Sequence, residues 1–306
     1  MMRIVIDTDP GIDDAHAMML AFALPGIEVK ALTTVAGNVS LERTTANALI
    51  LLDLLDKDVP VFPGCEDALV VPTPRRAISH GSDGFGDSGY PLSTRKAQSE
   101  HAAEALIRLA SESPGELTLV ALGPLTNLAL ATRIDPALPG KYRRLIVMGG
   151  AIYAKGNSWT PAAEFNFYID PEAAAIVFTC WPEITLVPWE TAEKYALTPQ
   201  QIEEFSEIDT PRAAFFRRIF KNRLLDQIPH HGVCYDPDVL AMAVALVPDM
   251  VQRMERRAVR VELTGQLTRG QSVVDWYGLT GHPPNANLVL EVDQERYLKL
   301  LRLSLL

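Results

Sequence analysis

Ile4-Val5-Ile6-Asp7-Thr8-Asp9-Pro10-Gly11-Ile12-Asp13-Asp14 sets an uninterrupted apolar run directly against a cluster of carboxylates. Arg3 to Ile6 reads as a strand, Pro10-Gly11 as a turn, and Asp14 to Leu24 as a helix. Strand alternation points Asp7 and Asp9 the same way, and the turn carries Asp13 and Asp14 to the helix start. The positive end of a helix offers only about half an elementary charge, and capping accounts for one carboxylate, not for all of them. A bound divalent cation resolves the repulsion. With no His or Cys among the donors, calcium or magnesium is favoured over zinc. The alternating acidic positions and closing glutamate of an EF-hand loop are missing, so a simple calcium buffer is a poor fit.

Outward from this stretch, short β-branched runs alternate with helical patterns. Val29 to Val35 is the next strand, Leu41, Thr45, Ala48, Leu49, Leu52 and Leu55 recur at helical spacing, and Val59 to Phe62 is again a strand. A helix from His101 to Ser111, a strand Leu117 to Ala121, a helix Leu125 to Thr132 and strands Leu145 to Met148 and Ile184 to Val187 continue the rhythm. Thr198-Pro199-Gln200-Gln201 opens a helix with a capping box, and Pro211 to Arg223 forms another. Such βαβ alternation predicts an α/β, Rossmann-like open sheet, mostly parallel, with helices on both faces and the active site at the carboxyl ends of the strands. Asp7 to Asp14, Ala36 to Asn38, Leu122 to Pro124 and Gly149-Gly150 should meet there. No linker or repeat divides residues 1–306, which read as one domain.

The chain has 306 residues and a formal charge of -10. A phosphate-rich polymer needs a basic surface, so a nucleic-acid partner is excluded and a small, weakly charged substrate is expected. Met1-Met2-Arg3 leads into an apolar run too short for a signal peptide or a membrane span, which predicts a cytoplasmic protein. Cys65, Cys180 and Cys234 lack metal-ligand spacing and read as buried spectators.

Asp7-Thr8-Asp9-Pro10-Gly11-Ile12-Asp13-Asp14-Ala15 resembles the N-terminal signature of the inosine-uridine preferring nucleoside hydrolase family. Val35-Ala36-Gly37-Asn38, Ser79-His80-Gly81, Leu122-Gly123-Pro124-Leu125-Thr126-Asn127, Met148-Gly149-Gly150, Glu164-Phe165-Asn166 and Tyr235-Asp236 follow in the family's order and span most of the chain. The resemblance implies a Ca2+-dependent enzyme of nucleoside salvage that cuts the N-glycosidic bond of ribonucleosides, working as a homodimer or homotetramer. It implies Asp9, Asp14, Asp236 and the main-chain carbonyl of Leu122 as metal ligands, with Asp9 also the base that activates water. Asp13, Asn38, Glu164, Asn166 and Asp236 resemble ribose-binding groups, with Met148 and His80 beside them. Asp7 and Glu190 are expected to support the site without touching substrate.

Cleaving such a bond passes through an oxocarbenium-like sugar, so the enzyme needs a positioned water, stabilisation of positive charge on the ribose, and help for the leaving base. Tyr235 departs from the family's pattern: one branch has a histidine there, the proton donor to the base. A tyrosine hydroxyl is a weaker acid, though its ring can stack on a base. His230 and His231 stand nearby as alternative donors, in what reads as a loop. Phe215, Phe216 and Phe220 recur at core spacing, and base preference stays open. Ser79 to Gly89 is glycine-rich, lacks a Gly-Lys-Ser/Thr phosphate-loop pattern, and resembles the family's loop that closes over the substrate. Two rivals remain: a haloacid-dehalogenase-type phosphatase, suggested by Asp7-Thr8-Asp9 but not by Pro10-Gly11, and a catalytically silent ribose-binding protein.

Overall fold

A computed structural model describes residues 1–72 and 79–306. Its strands are β1 Met2–Thr8, β2 Ile27–Thr34, β3 Val61–Pro63, β4 Leu117–Ala121, β5 Arg144–Met148, β6 Ile184–Val187, β7 Val251–Arg257, β8 Val259–Val261, β9 Ser272–Val274 and β10 Ala286–Val292. The helices are α1 Ile12–Ala23, α2 Leu41–Leu54, α3 Ala102–Glu112, α4 Thr126–Ile134, α5 Phe165–Ile169, α6 Pro171–Cys180, α7 Trp189–Lys194, α8 Pro199–Ser206, α9 Pro211–His231, α10 Pro237–Leu246 and α11 Gln294–Ser304.

Eight strands form one sheet in the order β3-β2-β1-β4-β5-β6-β10-β7. All neighbouring pairs are parallel except β10 with the edge strand β7. The apolar run that opens the chain explains its own place. Ile4 and Ile6 face a core shared with α1, α2, α9, α10 and α11, while Val5 faces a second core against α3, α4 and α6. A strand buried on both faces has no polar side to alternate with.

Chain order reverses where β1 lies between β2 and β4, which opens a crevice beyond the carboxyl ends of β1 and β4. The segments Asp9 to Gly11 and Leu122 to Leu125 leave the sheet at that crevice. Helix α1 then runs back beneath it, with every residue from Ile12 to Ala21 buried.

Two expectations from the sequence need correction. The helix expected to end at Arg223 continues to His231, where Gly232 closes it in a left-handed conformation (φ 73°), so His230 and His231 form the helix's exposed last turn and not a loop. Of the three cysteines, only Cys234 is buried; Cys65 is half-buried and Cys180 exposed. Among the described residues no helix is long and apolar enough to cross a membrane.

Candidate active site

Asp7, the last acidic residue inside β1, points away from the crevice and braces it. Its Oδ1 accepts from Thr33 Oγ1 at 2.6 Å and from Asn127 Nδ2 at 2.9 Å. The same Asn127 amide reaches the Thr34 carbonyl and accepts from Cys65 N–H, so three loops share one buried network. Burial raises the Asp7 carboxyl to about 6.

Asp9 stands at the mouth of the turn, almost fully buried. Asn38 N–H donates to its Oδ2 at 2.7 Å. Gly37 and Gly123 press against the two carboxylate oxygens, and a Cβ at either position would collide with them. These glycines are therefore spacers for a carboxylate. Burial, followed by the charge of Asp14, pushes Asp9 well above the ordinary carboxylate range.

Asp14 folds back on the turn that delivers it. It accepts from Thr8 Oγ1, from Gly11 N–H at 3.0 Å and from Asn38 Nδ2 at 3.2 Å. Carboxylate oxygens of Asp13, Asp14 and Asp238 lie within 4.8 Å of one another, all buried. Burial and then the charge of Asp13 raise Asp238 well above its ordinary value, and its carboxyl hydrogen-bonds Asp14.

Asp236 is placed elsewhere. Its Oδ2 lies 2.6 Å from His16 Nδ1, whose Nε2 meets Ser304 Oγ at 2.8 Å, deep between α1 and α11. The cause is local: Pro237 takes the first helical position of α10, leaving Asp236 just outside the helix and Asp238 in its first turn. The sequence carried this signal in Asp236-Pro237-Asp238.

Of the ribose-side expectations, Asp13, Asn38, His80, Met148, Glu164 and Asn166 line one cavity of about 560 Å3 together with Asp9, Leu122, Tyr235 and the unexpected Asp238, whereas Asp236 does not line it. Glu164 caps α5, accepting from Asn166 N–H and Phe167 N–H, and also takes Gly150 N–H at 2.9 Å; burial still raises it to about 7. Asn166 Nδ2 donates to the Leu122 carbonyl at 2.6 Å, which leaves that oxygen one lone pair. Glu190 lies outside the cavity and accepts from Ile152 N–H and Tyr153 N–H, holding the chain beyond β5.

His80 Nδ1 accepts from Ile12 N–H at 3.1 Å, and burial lowers the ring to about 4. Near neutral pH the ring is thus uncharged, with its proton on Nε2. The loop's acidic residues serve its own turns: Asp83 accepts from Phe85 N–H and Asp87 N–H, and Asp87 from Ser82 N–H.

Sequence reasoning missed several residues. Trp159 and Trp189 line the cavity, and the Trp189 ring lies 5.0 Å from that of Tyr235. Gln227 and His231 of α9 complete this side. Arg223, buried on the same helix, donates from Nη2 to Asp13 Oδ2 at 3.1 Å, although nothing local in the sequence pairs residues so far apart. Against the effect of burial, the guanidinium holds Asp13 below the ordinary carboxylate range.

An open parallel sheet with a carboxylate-lined cavity at its switch point defines an α/β protein with a small-molecule site, beside which an acidic triad has the spacing to hold a metal ion. Residues 4–299 match the family model described as inosine-uridine preferring nucleoside hydrolase, and the chain belongs to that family. It is 39% identical over 310 residues to the pyrimidine-specific ribonucleoside hydrolase RihA of Klebsiella pneumoniae strain 342, covering 98% of this chain and 97% of that one. Among solved structures, an inosine-guanosine nucleoside hydrolase superposes with a TM-score of 0.92 at 36% identity, covering 99% of this chain and 98% of the other. A purine-preferring ribonucleoside hydrolase from Gardnerella vaginalis gives 0.90 at 29% identity, with coverage of 99% and 98%. The chain is therefore a ribonucleoside hydrolase acting on N-glycosyl bonds.

Proposed function

We propose that residues 1–306 form one hydrolase domain that is calcium-dependent and uses Asp9 as the base for the attacking water. The buried triad of Asp13, Asp14 and Asp238 carries this reading, because Arg223 compensates Asp13 alone and the two other carboxyl groups beside it have no cation of their own. The donors are all oxygen, which fits a hard cation such as calcium. We assign Asp14 and Asp238 as ligands, with Asp9 and the Leu122 carbonyl beside them and Asp236 in a supporting role. Held there, calcium would offset the mutual repulsion of the carboxylates, bind ribose hydroxyls and acidify a water near Asp9.

The residues of the chain divide the remaining work. Asp9, clamped by Asn38 and raised by burial, takes the proton as the water oxygen bonds to the anomeric carbon. Asp13, Asn38, Glu164 and Asn166 hold the ribose hydroxyls, and the carboxylates stabilise the developing positive charge. Met148 packs against the sugar and His80 offers Nε2–H. As the bond to the base nitrogen breaks, the base takes the electron pair and then a proton. Tyr235, whose hydroxyl burial raises further above its ordinary value, lines the cavity as a donor, and its ring lies tilted 5.0 Å from that of Trp189.

The test is release of free base and ribose from inosine, uridine, adenosine and cytidine, with calcium or after chelation, in wild type and Asp9→Ala. Calcium-dependent release, abolished in the variant, is expected and ranks the bases. Release that survives chelation removes the calcium assignment, and an active Asp9→Ala enzyme removes the assigned base.

A further inference from the structure

Among the described residues, Arg223 is the sole fully buried lysine or arginine, and it stands over the most acidic region of the molecule. Taking a guanidinium out of water is costly unless it is well paired. Its partner is a single carboxylate oxygen, Asp13 Oδ2 at 3.1 Å, and its Nε and Nη1 have no partner. Asp13 Oδ1 is also buried without a partner. The polar atom facing it is His80 Nδ1 at 3.7 Å, and that nitrogen already spends its lone pair on Ile12 N–H. His80 therefore cannot satisfy Asp13 Oδ1, and a hydroxyl donating to that oxygen from the cavity would.

We propose that Arg223 is a positioning residue: by holding Asp13 Oδ2, it fixes Oδ1 as the oxygen presented to a ribose hydroxyl. The pair joins α9 to the start of α1, so the helix that borders the base side of the cavity also sets the geometry of the ribose side. This rests on the reading that ribose occupies the cavity. A lysine keeps the charge but loses the rigid planar fork that selects one oxygen. A mere strut between helices would affect folding and leave ribose affinity alone.

The experiment is calorimetric titration of D-ribose into the calcium-loaded full chain. Wild type, R223Q, R223K, D13N and R223Q/D13N are compared, each with its unfolding midpoint recorded. R223Q and D13N should each weaken ribose at least about tenfold, with R223K between R223Q and wild type. Because Arg223 acts through Asp13, the double variant should match D13N within about threefold. Should R223Q fail to fold, R223K with D13N carries the same coupling test. Unchanged ribose affinity in R223Q, or losses that multiply in the double variant, would overturn the proposal. Ribose binding without base release from any nucleoside counts against the catalytic reading alone, whereas no ribose binding by wild type defeats this proposal too.

Discussion

Asn38 grips Asp9 at both ends: its backbone N–H donates to Asp9 Oδ2 at 2.7 Å, and its side-chain Nδ2 donates to the Asp9 carbonyl at 3.2 Å. The same Nδ2 lies 3.2 Å from Asp14 Oδ2. One amide thereby fixes the spacing between the residue assigned as base and a carboxylate of the cation site. Residues from β1 and from the segment after β2 meet here because those strands are parallel neighbours, with Thr8 paired to Thr34.

The grip on Asp9 depends on two residues that have no side chain. Gly37→Ala and Gly123→Ala each place a methyl group against an Asp9 carboxylate oxygen, and neither glycine has a positive φ that would strain alanine. The substitution therefore tests crowding alone. A displacement of about 1 Å at a reacting group costs on the order of 100-fold in rate. Steady-state kinetics should show kcat lowered by about that factor in each variant, with ordinary cooperative unfolding. Activity within about threefold of wild type would show that Asp9 tolerates displacement and is not the base.

Asp238 and Asp236 are two residues apart yet should behave differently. Asp238→Asn removes a member of the carboxylate triad, so calcium affinity should fall by about 100-fold or more, the upper end of what supporting residues cost. Asp236→Asn weakens the buried hydrogen bond with His16, and its main effect should be lost stability, about 1 kcal/mol in urea unfolding. Titrating calcium into both variants separates these outcomes. A larger affinity loss in Asp236→Asn would restore Asp236 as the ligand.

That pair also shows where sequence reading succeeds and where it stops. The parallel sheet was legible because strand patterns such as Ile4-Val5-Ile6 alternate with helical ones, and the aspartate cluster because its charge is local. Which aspartate of Asp236-Pro237-Asp238 faces the cluster depends on where α10 begins, a matter of one helical position. The last strands were not legible: β10 follows a long irregular stretch, and β7 runs antiparallel at the edge. Arg223 was out of reach for another reason. Its partner Asp13 is 210 positions away, and only the packing of α9 against α1 brings them together.

Tyr235 has two separable attributes, a hydroxyl and a ring. The ring lies tilted against Trp189 and near His231, so Tyr235→Phe keeps these ring contacts and removes the donor. A well-matched acid contributes about 100-fold or more, and a phenol whose value burial raises further should contribute less. Tyr235→Phe should lower kcat about tenfold with KM nearly unchanged, and His231→Gln should change neither by more than about twofold. A larger loss in His231→Gln would move the donor role to the end of α9.

The buried carboxylates predict how the metal-free protein responds to pH. Glu164 is raised by burial to about 7 in the folded chain, against an ordinary 4.5 when exposed on unfolding. Below the lower value both states hold the proton and the group favours neither. Between the two values the folded state keeps a proton that the unfolded state has released, so stability falls as pH rises through about 7. The shift corresponds to on the order of 3 kcal/mol. Asp7, raised to about 6, acts in the same direction. His80 acts oppositely: lowered to about 4, it costs stability as pH falls below its ordinary 6.5. Urea midpoints of chelated protein from about pH 5 to about pH 8 should therefore decline, and Glu164→Gln, which cannot ionise, should flatten part of that decline. An identical slope in Glu164→Gln would mean that the Gly150, Asn166 and Phe167 amides already hold Glu164 ionised in the folded state, so that its burial carries no pH-dependent cost.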